Sequence, residues 1–220
     1  MPRMAGSKRE RPPTQRRNRE AEVVEAAIDV FWRKGYSAAT IQDVADHVGV
    51  LKGSLYHYIS SKEDLLFTIF DESHRQAQEI AASVRAADGP AIEQLRTYFE
   101  RYVRWYLDNV ERVSLYLNEW RFLTGERYDT VVEQRRVNER FVRGLVEAAQ
   151  AEGDVYPDVD AKYACFYILG AVNGIPTWYR RRGRQSPAQI ARAYADMVVG
   201  TLRGTEPRSA PRRRAPAGTV

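Results

Sequence analysis

Lys52, Ser54, Tyr56 and His57 stand together around Gly53. An ammonium, a hydroxyl, a phenol and an imidazole near the start of one helix can reach phosphate oxygens or base edges in the major groove of DNA. Gly53 permits close approach of another surface. Leu51, just ahead, cannot cap a helix with its side chain, but it can meet a thymine methyl. Catalytic chemistry has no comparable cluster. His47, His57 and His74 are not at metal-ligand spacing, and the only cysteine, Cys165, lies in the most apolar stretch of the chain. There is no G-x-S-x-G, phosphate-binding loop or dinucleotide fingerprint. Glu63 and Asp64 open a helix, where the dipole accounts for them. No catalytic residue, metal site or cofactor is expected, and the chain does not read as an enzyme.

The elements that must hold these donors lie between Thr40 and Leu66. Ile41, Val44, Ala45 and Val48 recur at helical spacing, Gly49 suits the left-handed residue that ends a helix, and Thr40 stands where an N-cap belongs. Val50 and Leu55 can bury while the donors face outward. Ser61 with Asp64 opens the next helix. Two short helices joined at a glycine, the second rich in donors, describe a helix-turn-helix. Ahead of it, a helix beginning between Thr14 and Asn18 and ending at Lys34-Gly35 carries the apolar stripe Val24, Ala27, Ile28 and Phe31.

Beyond Lys62 the pattern stays helical. A connector runs to about Arg85, and Asp88-Gly89-Pro90 breaks it. Helices are then expected over Ala91–Asn109, Glu111–Leu123, Tyr128–Glu152 and Asp160 to about Arg181, with a last one after Ser186-Pro187. The Asp160–Arg181 segment is apolar almost all round and should be buried on every side. The fold class is all-α with about nine helices: a three-helix helix-turn-helix domain over 16–62 and a helical ligand-binding and dimerisation domain over 63–204. Residues 1–15 read as a disordered basic arm and 205–220 as a disordered tail.

Hydrophobic residues make up 44% and charged residues 29% of the 220 positions, as in ordinary soluble domains. No apolar run approaches the ~18 residues of a membrane span, and no apolar stretch follows the N-terminal arginines. A single cysteine fits a reducing cytoplasm. The net charge of +5 sits in the tails: residues 1–20 hold seven Lys or Arg against two Glu, residues 204–220 four Arg against one Glu, and the body between is left at about −3 by subtraction. The high pI therefore says little about the body. The arm beside the motif can add phosphate contacts or merely solubilise.

The segment from Gly35 to Leu66 closely resembles the DNA-binding domain of TetR-type bacterial regulators. Gly35-Tyr36, Thr40, Ala45, Gly49, Leu55-Tyr56-His57-Tyr58 and Ser61-Lys62-Glu63 carry the resemblance. It implies phosphate contacts from Thr40, Tyr56, His57 and Lys62, with Lys52, Gly53 and Ser54 at the groove edge. Leu51 departs from the Ser or Thr that many relatives hold there, and packing in the small three-helix core is the alternative for Tyr56 and the plainer reading of Tyr58. It also implies a homodimer formed through the last two helices on a roughly palindromic operator. Leu51 followed by Lys-Gly-Ser-Leu-Tyr-His, and the Asn118-Glu119-x-Arg121 segment, are similar to regulators of fatty-acid and sterol breakdown, which sense acyl-CoA thioesters.

The second part of the chain is rich in aromatic residues that can bound an apolar pocket. Tyr102, Tyr106, Tyr116, Glu119, Trp120, Arg121 and Trp178 are its candidate ligand-binding residues. Core packing is the plainer reading of the rings, a surface ion pair that of Glu119 and Arg121, and a solvated helix end that of Trp178 with Arg180–Arg182. The chain is thus expected to be a dimeric, ligand-responsive repressor released from operator DNA by a small hydrophobic effector such as an acyl-CoA. A regulator of a drug-efflux or other catabolic operon sensing a bulky aromatic compound stays open, as does a DNA-binding protein without a small-molecule effector.

Overall fold

The structure is a computed structural model and describes residues 13–203; most of the expected basic arm and the whole expected C-terminal tail lie outside the described residues. The helices are α1 (Pro13–Lys34), α2 (Ile41–Val48), α3 (Lys52–Leu55), α4 (Lys62–Arg85), α5 (Ala91–Asp108), α6 (Val110–Asn118), α7 (Gly125–Ala151), α8 (Ala161–Asn173), α9 (Ile175–Trp178) and α10 (Pro187–Arg203), with one 3-10 turn, Trp120–Phe122. Among the described residues there is no strand, and the all-α expectation holds.

Two expected helices break in two, which accounts for the extra segments. The Asp160–Arg181 helix interrupts at Gly174. Pro176 follows, lacks a backbone donor and would crowd the carbonyl of Val172 in a continuous helix. The Glu111–Leu123 helix ends at Asn118. Its continuation tightens into i to i+3 bonds, Phe122 N–H to Glu119 O (3.0 Å) and Leu123 N–H to Trp120 O (3.1 Å). An extended Leu123 is thereby delivered into the core at 3% exposure.

Two cores result, and α4 belongs to both. The first packs Val24, Ala27 and Phe31 of α1, Val44 and Ala45 of α2, and Leu55 of α3 against Leu65, Leu66, Ile69 and Phe70 from the first half of α4. Leu115, Leu123 and Val131 of the second part also enter this core. The second core takes Ala77, Ala81 and Val84 from the other half of α4, together with α5, α7, α8 and α10. The helix-turn-helix half is therefore continuous with the second half through a shared helix and shared apolar contacts.

Burial of the apolar α8 on every side is not met within one chain. Cys165, Ile168 and Val172 are buried, but Tyr163 and Tyr167 stand 70% and 65% exposed with Phe166 half-exposed beside them. The alanines of α10 divide likewise. Ala191 and Ala195 are buried inside the subunit, where α10 lies along α5, whereas Ala193, Met197 and Gly200 face outward.

A candidate nucleic-acid interface coupled to an apolar cavity

Thr40 caps α2 with a reciprocal pair of bonds. Its hydroxyl accepts from Asp43 N–H (3.2 Å), and its own N–H donates to Asp43 Oδ2 (2.8 Å). The Lys34 ammonium and Thr40 bind the same carboxylate and hold it down to about pKa 2. Gly49 ends α2 in the left-handed region at φ 75°, with its N–H turned back to Ala45 and Asp46 carbonyls. That reversal aims α3. Leu51 stands at its N-cap without a side-chain cap bond and 80% exposed.

The α3 turn is anchored by Leu55, fully buried, and by Ile59 beyond it. This leaves Leu51, Lys52, Gly53, Tyr56 and His57 exposed together, with Ser54 partly so and Tyr58 packed against the core. A Cβ at Gly53 would meet nothing within 4 Å, so its own chain does not require a glycine there. The expected donors thus share one open surface with the exposed Thr40. Lys62 is placed differently. Its ammonium donates to the Tyr36 carbonyl and sits 4.2 Å from the centroid of the Tyr36 ring, and burial lowers its pKa. It fastens α4 to the loop that presents Thr40.

The second feature is a cavity of about 430 Å³ inside the second half. Its walls come from α4 (His74, Ala77), α5 (Tyr102, Trp105, Tyr106), α6 (Val113, Tyr116, Leu117), the 3-10 turn (Trp120), α7 (Arg135, Asn138) and α8 (Phe166, Leu169). Of the residues expected at a ligand site, Tyr102, Tyr106, Tyr116 and Trp120 meet here. Glu119, Arg121 and Trp178 do not line it. Arg121 is exposed with its guanidinium 5.4 Å from the Phe122 ring, Glu119 lies on the side of Tyr36 and Lys62, and Trp178 stacks on Tyr194. Arg181, in the cluster beside Trp178, is taken by Glu111 at 2.7 Å.

The hydroxyls of Tyr102 and Tyr106 are already engaged. Tyr106 donates to Asn173 Oδ1 (2.9 Å), and the Tyr102 hydroxyl lies 3.2 Å from that of Tyr106. Desolvation pushes both phenols well up, so they stay neutral. Desolvation likewise lowers the pKa of His74, leaving a neutral imidazole at pH 7. Sequence reasoning missed the contributions of α4, α7 and α8, because periodicity marks a buried face without saying whether it meets a neighbour or a void.

Cavity and donor surface are joined by the same short elements. On α6, Val113, Tyr116 and Leu117 face the cavity, while Arg112 and Leu115 reach the first core. Arg112 is buried, and its guanidinium donates to Glu25 of α1 (2.6 Å) and Glu72 of α4 (3.1 Å). Tyr116 meets Phe70 edge-on, 5.3 Å between centroids. Trp120 lines the cavity, and two residues on Phe122 leans on Tyr36 at 5.1 Å. Burial first, then Glu63 and Glu119, push the Tyr36 phenol up to about 12. Glu63 accepts from Thr124 N–H (2.9 Å), and Arg127 pairs with Asp64 (2.8 Å).

Comparison with known proteins settles the family. Residues 88–202 match the family described as "Tetracyclin repressor-like, C-terminal domain", and residues 23–69 match "Bacterial regulatory proteins, tetR family". The chain belongs to the TetR family. This TetR regulator is 42% identical over 168 residues to the HTH-type transcriptional regulator YfiR of Bacillus subtilis (strain 168), covering 71% of the chain and 78% of the relative. It is 26% identical over 189 residues to the HTH-type transcriptional repressor KstR2 of Rhodococcus jostii (strain RHA1), covering 84% of the chain and 91% of the relative. Among solved structures it is similar to AibR in complex with isovaleryl coenzyme A and operator DNA, with a TM-score of 0.74 at 26% identity over 84% of this chain and 97% of that one. It is thus a DNA-binding regulator. No helix among its described residues is long and apolar enough to cross a membrane.

Proposed function

We propose that this TetR regulator is a dimeric transcriptional repressor that leaves its operator when an acyl-type apolar ligand, including an acyl-CoA, fills the 430 Å³ cavity. One observation carries the reading: the cavity wall formed by α6 and the 3-10 turn is also what grips the DNA-binding core, through Arg112, Tyr116 and Phe122. A ligand that needs a different position of α6 must tilt the core bearing α3, and it favours the state that binds DNA poorly. The volume falls within the range of about 300–1,000 Å³ that holds small-molecule ligands, which weighs for a sensor over an effector-free DNA-binding protein. In a CoA ester the acyl part would occupy the cavity. The AibR complex, with an acyl-CoA and operator DNA on one protein of this fold, supports the same pairing of ligands. Regulation, not catalysis, is the activity, and its site is the bacterial cytoplasm, where the DNA is.

Thr40, Lys52, Ser54, Tyr56 and His57 supply the phosphate and groove contacts. Leu51 and Gly53 make the close approach, and Lys62 holds the loop ahead of Thr40. Replacing Lys52, Tyr56 and His57 together with alanine is expected to weaken binding to the promoter DNA upstream of the chain's own gene at least a hundredfold. The slope of log affinity against log salt should also flatten by one or more. Unchanged affinity in a fluorescence-anisotropy titration would remove this surface from the DNA.

The exposed Tyr163, Phe166 and Tyr167 of α8, with outward Ala193, Met197 and Gly200 of α10, form the dimer face. Such large apolar side chains are covered in stable assemblies. The double change Tyr163→Arg with Tyr167→Asp should convert a dimer to a monomer in light scattering at micromolar concentration. A dimer that survives both charges would place the interface elsewhere.

A further inference from the structure

Helix α7 carries five arginines, and four of them are paired. Arg127 meets Asp64 (2.8 Å), Arg136 and Arg140 share Glu133 (3.6 and 2.6 Å), and Arg143 meets Glu147 (3.0 Å). Arg135 has no ion pair or hydrogen bond among the described residues, and its Nη1 is buried without a partner. Its guanidinium lies 5.0 Å from the Trp120 ring centroid and 5.3 Å from that of Tyr116, both cavity residues. Ring faces attract a cation but do not satisfy its N–H donors.

The other ionisable groups around the cavity do not meet this need. Glu139 lies one turn on along α7 and lines the same cavity, but no ion pair within 4 Å joins it to Arg135. Arg136 is already paired, and the remaining polar lining is His74, the tyrosines, Ser73, Asn138 and Asn173. A half-buried guanidinium whose Nη1 is shut off from water without an acceptor is left unsatisfied, and a ligand anion that reaches it supplies the missing acceptor in charge-assisted bonds.

We infer that Arg135 binds an anionic oxygen of the effector, so that the ligand is an amphiphile with an apolar body in the cavity and a negatively charged end against α7. The inference rests on the reading of this cavity as the effector site. The anionic oxygen can belong to the carboxylate of a free acid or to a phosphate of a CoA ester. Because Arg135 sits on Trp120 and Tyr116, the two rings that also touch the route to the DNA-binding core, an anion there acts at the point of coupling.

The test uses the full chain and three probes of equal chain length: decanoate, decanoyl-CoA and decanol. Binding is read by quenching of tryptophan fluorescence, since Trp105 and Trp120 line the cavity. At least one anionic probe should bind about ten- to a hundredfold more tightly than decanol. Arg135→Gln should abolish that preference while leaving decanol affinity and the melting temperature nearly unchanged, and Arg135→Lys should restore part of it. Preference for decanoate assigns the carboxylate, and preference for decanoyl-CoA the phosphate. Equal binding of decanol and both anions, or an Arg135→Gln variant that keeps the preference, overturns the role of Arg135 alone. If none of the three binds, the cavity is not an acyl site, and the proposed function falls with it.

Discussion

Replacing Arg112 with methionine is expected to destabilise the protein by about 2–3 kcal/mol and to uncouple its two halves. Methionine keeps the unbranched stem in its buried slot, so the loss falls mainly on the polar head. That head bridges Glu25 on α1 and Glu72 on α4 from a side chain that is itself only 5% exposed. Breaking a buried pair costs about 3–5 kcal/mol, but Glu25 is 69% exposed and can return to water, which places the effect below that range. The functional consequence is more diagnostic than the stability loss. Ligand affinity measured without DNA should stay near wild type, while the ligand's ability to lower operator affinity should fall about tenfold or more. Loss of ligand binding itself, or coupling that persists unchanged, would show that α6 does not carry the signal through Arg112.

Leu55→Ala is expected to cost about 3 kcal/mol and to abolish operator binding. Leu55 is the one fully buried side chain of the four-residue α3. Truncating a buried leucine costs about 2–5 kcal/mol as transfer and cavity terms add. A single turn has almost no stability of its own, so its orientation depends on that contact and on Ile59. The second core shares no residue with this site, and ligand quenching of Trp105 should therefore survive. Urea denaturation read by circular dichroism and by tryptophan emission separates the two effects. A loss under 1 kcal/mol with intact operator affinity would mean that the turn is held by something other than its buried leucine.

The helix-turn-helix was legible because its determinants are local. Thr40, Gly49, Leu55 and the exposed donors lie within one stretch, and each takes its place by capping, by a positive φ or by burial. The all-α class was equally plain from helical spacing. Pro176 was visible in the sequence, yet the apolar run around it masked the break between α8 and α9. The same run suggested burial on every side, which one chain does not provide; Tyr163 and Tyr167 require a partner surface that no single-chain pattern specifies. The cavity was half legible. Its aromatic residues stood out by type, but six elements assemble it, and which faces converge depends on packing. Arg135 was hidden among five arginines on one helix. Only the pairing of the other four distinguishes it, and pairing partners such as Asp64 lie far along the chain.

Titrating the complex of this TetR regulator and its operator with a series of fatty acids and acyl-CoAs tests the central claim most directly. Release is followed by fluorescence anisotropy, beside an Ala77→Leu variant whose larger side chain projects into the cavity. The account requires at least one acyl ligand to lower operator affinity tenfold or more in the wild type, with a clearly weakened response in the variant. Operator binding that no acyl ligand weakens, or release that is identical when the cavity is narrowed, would contradict it.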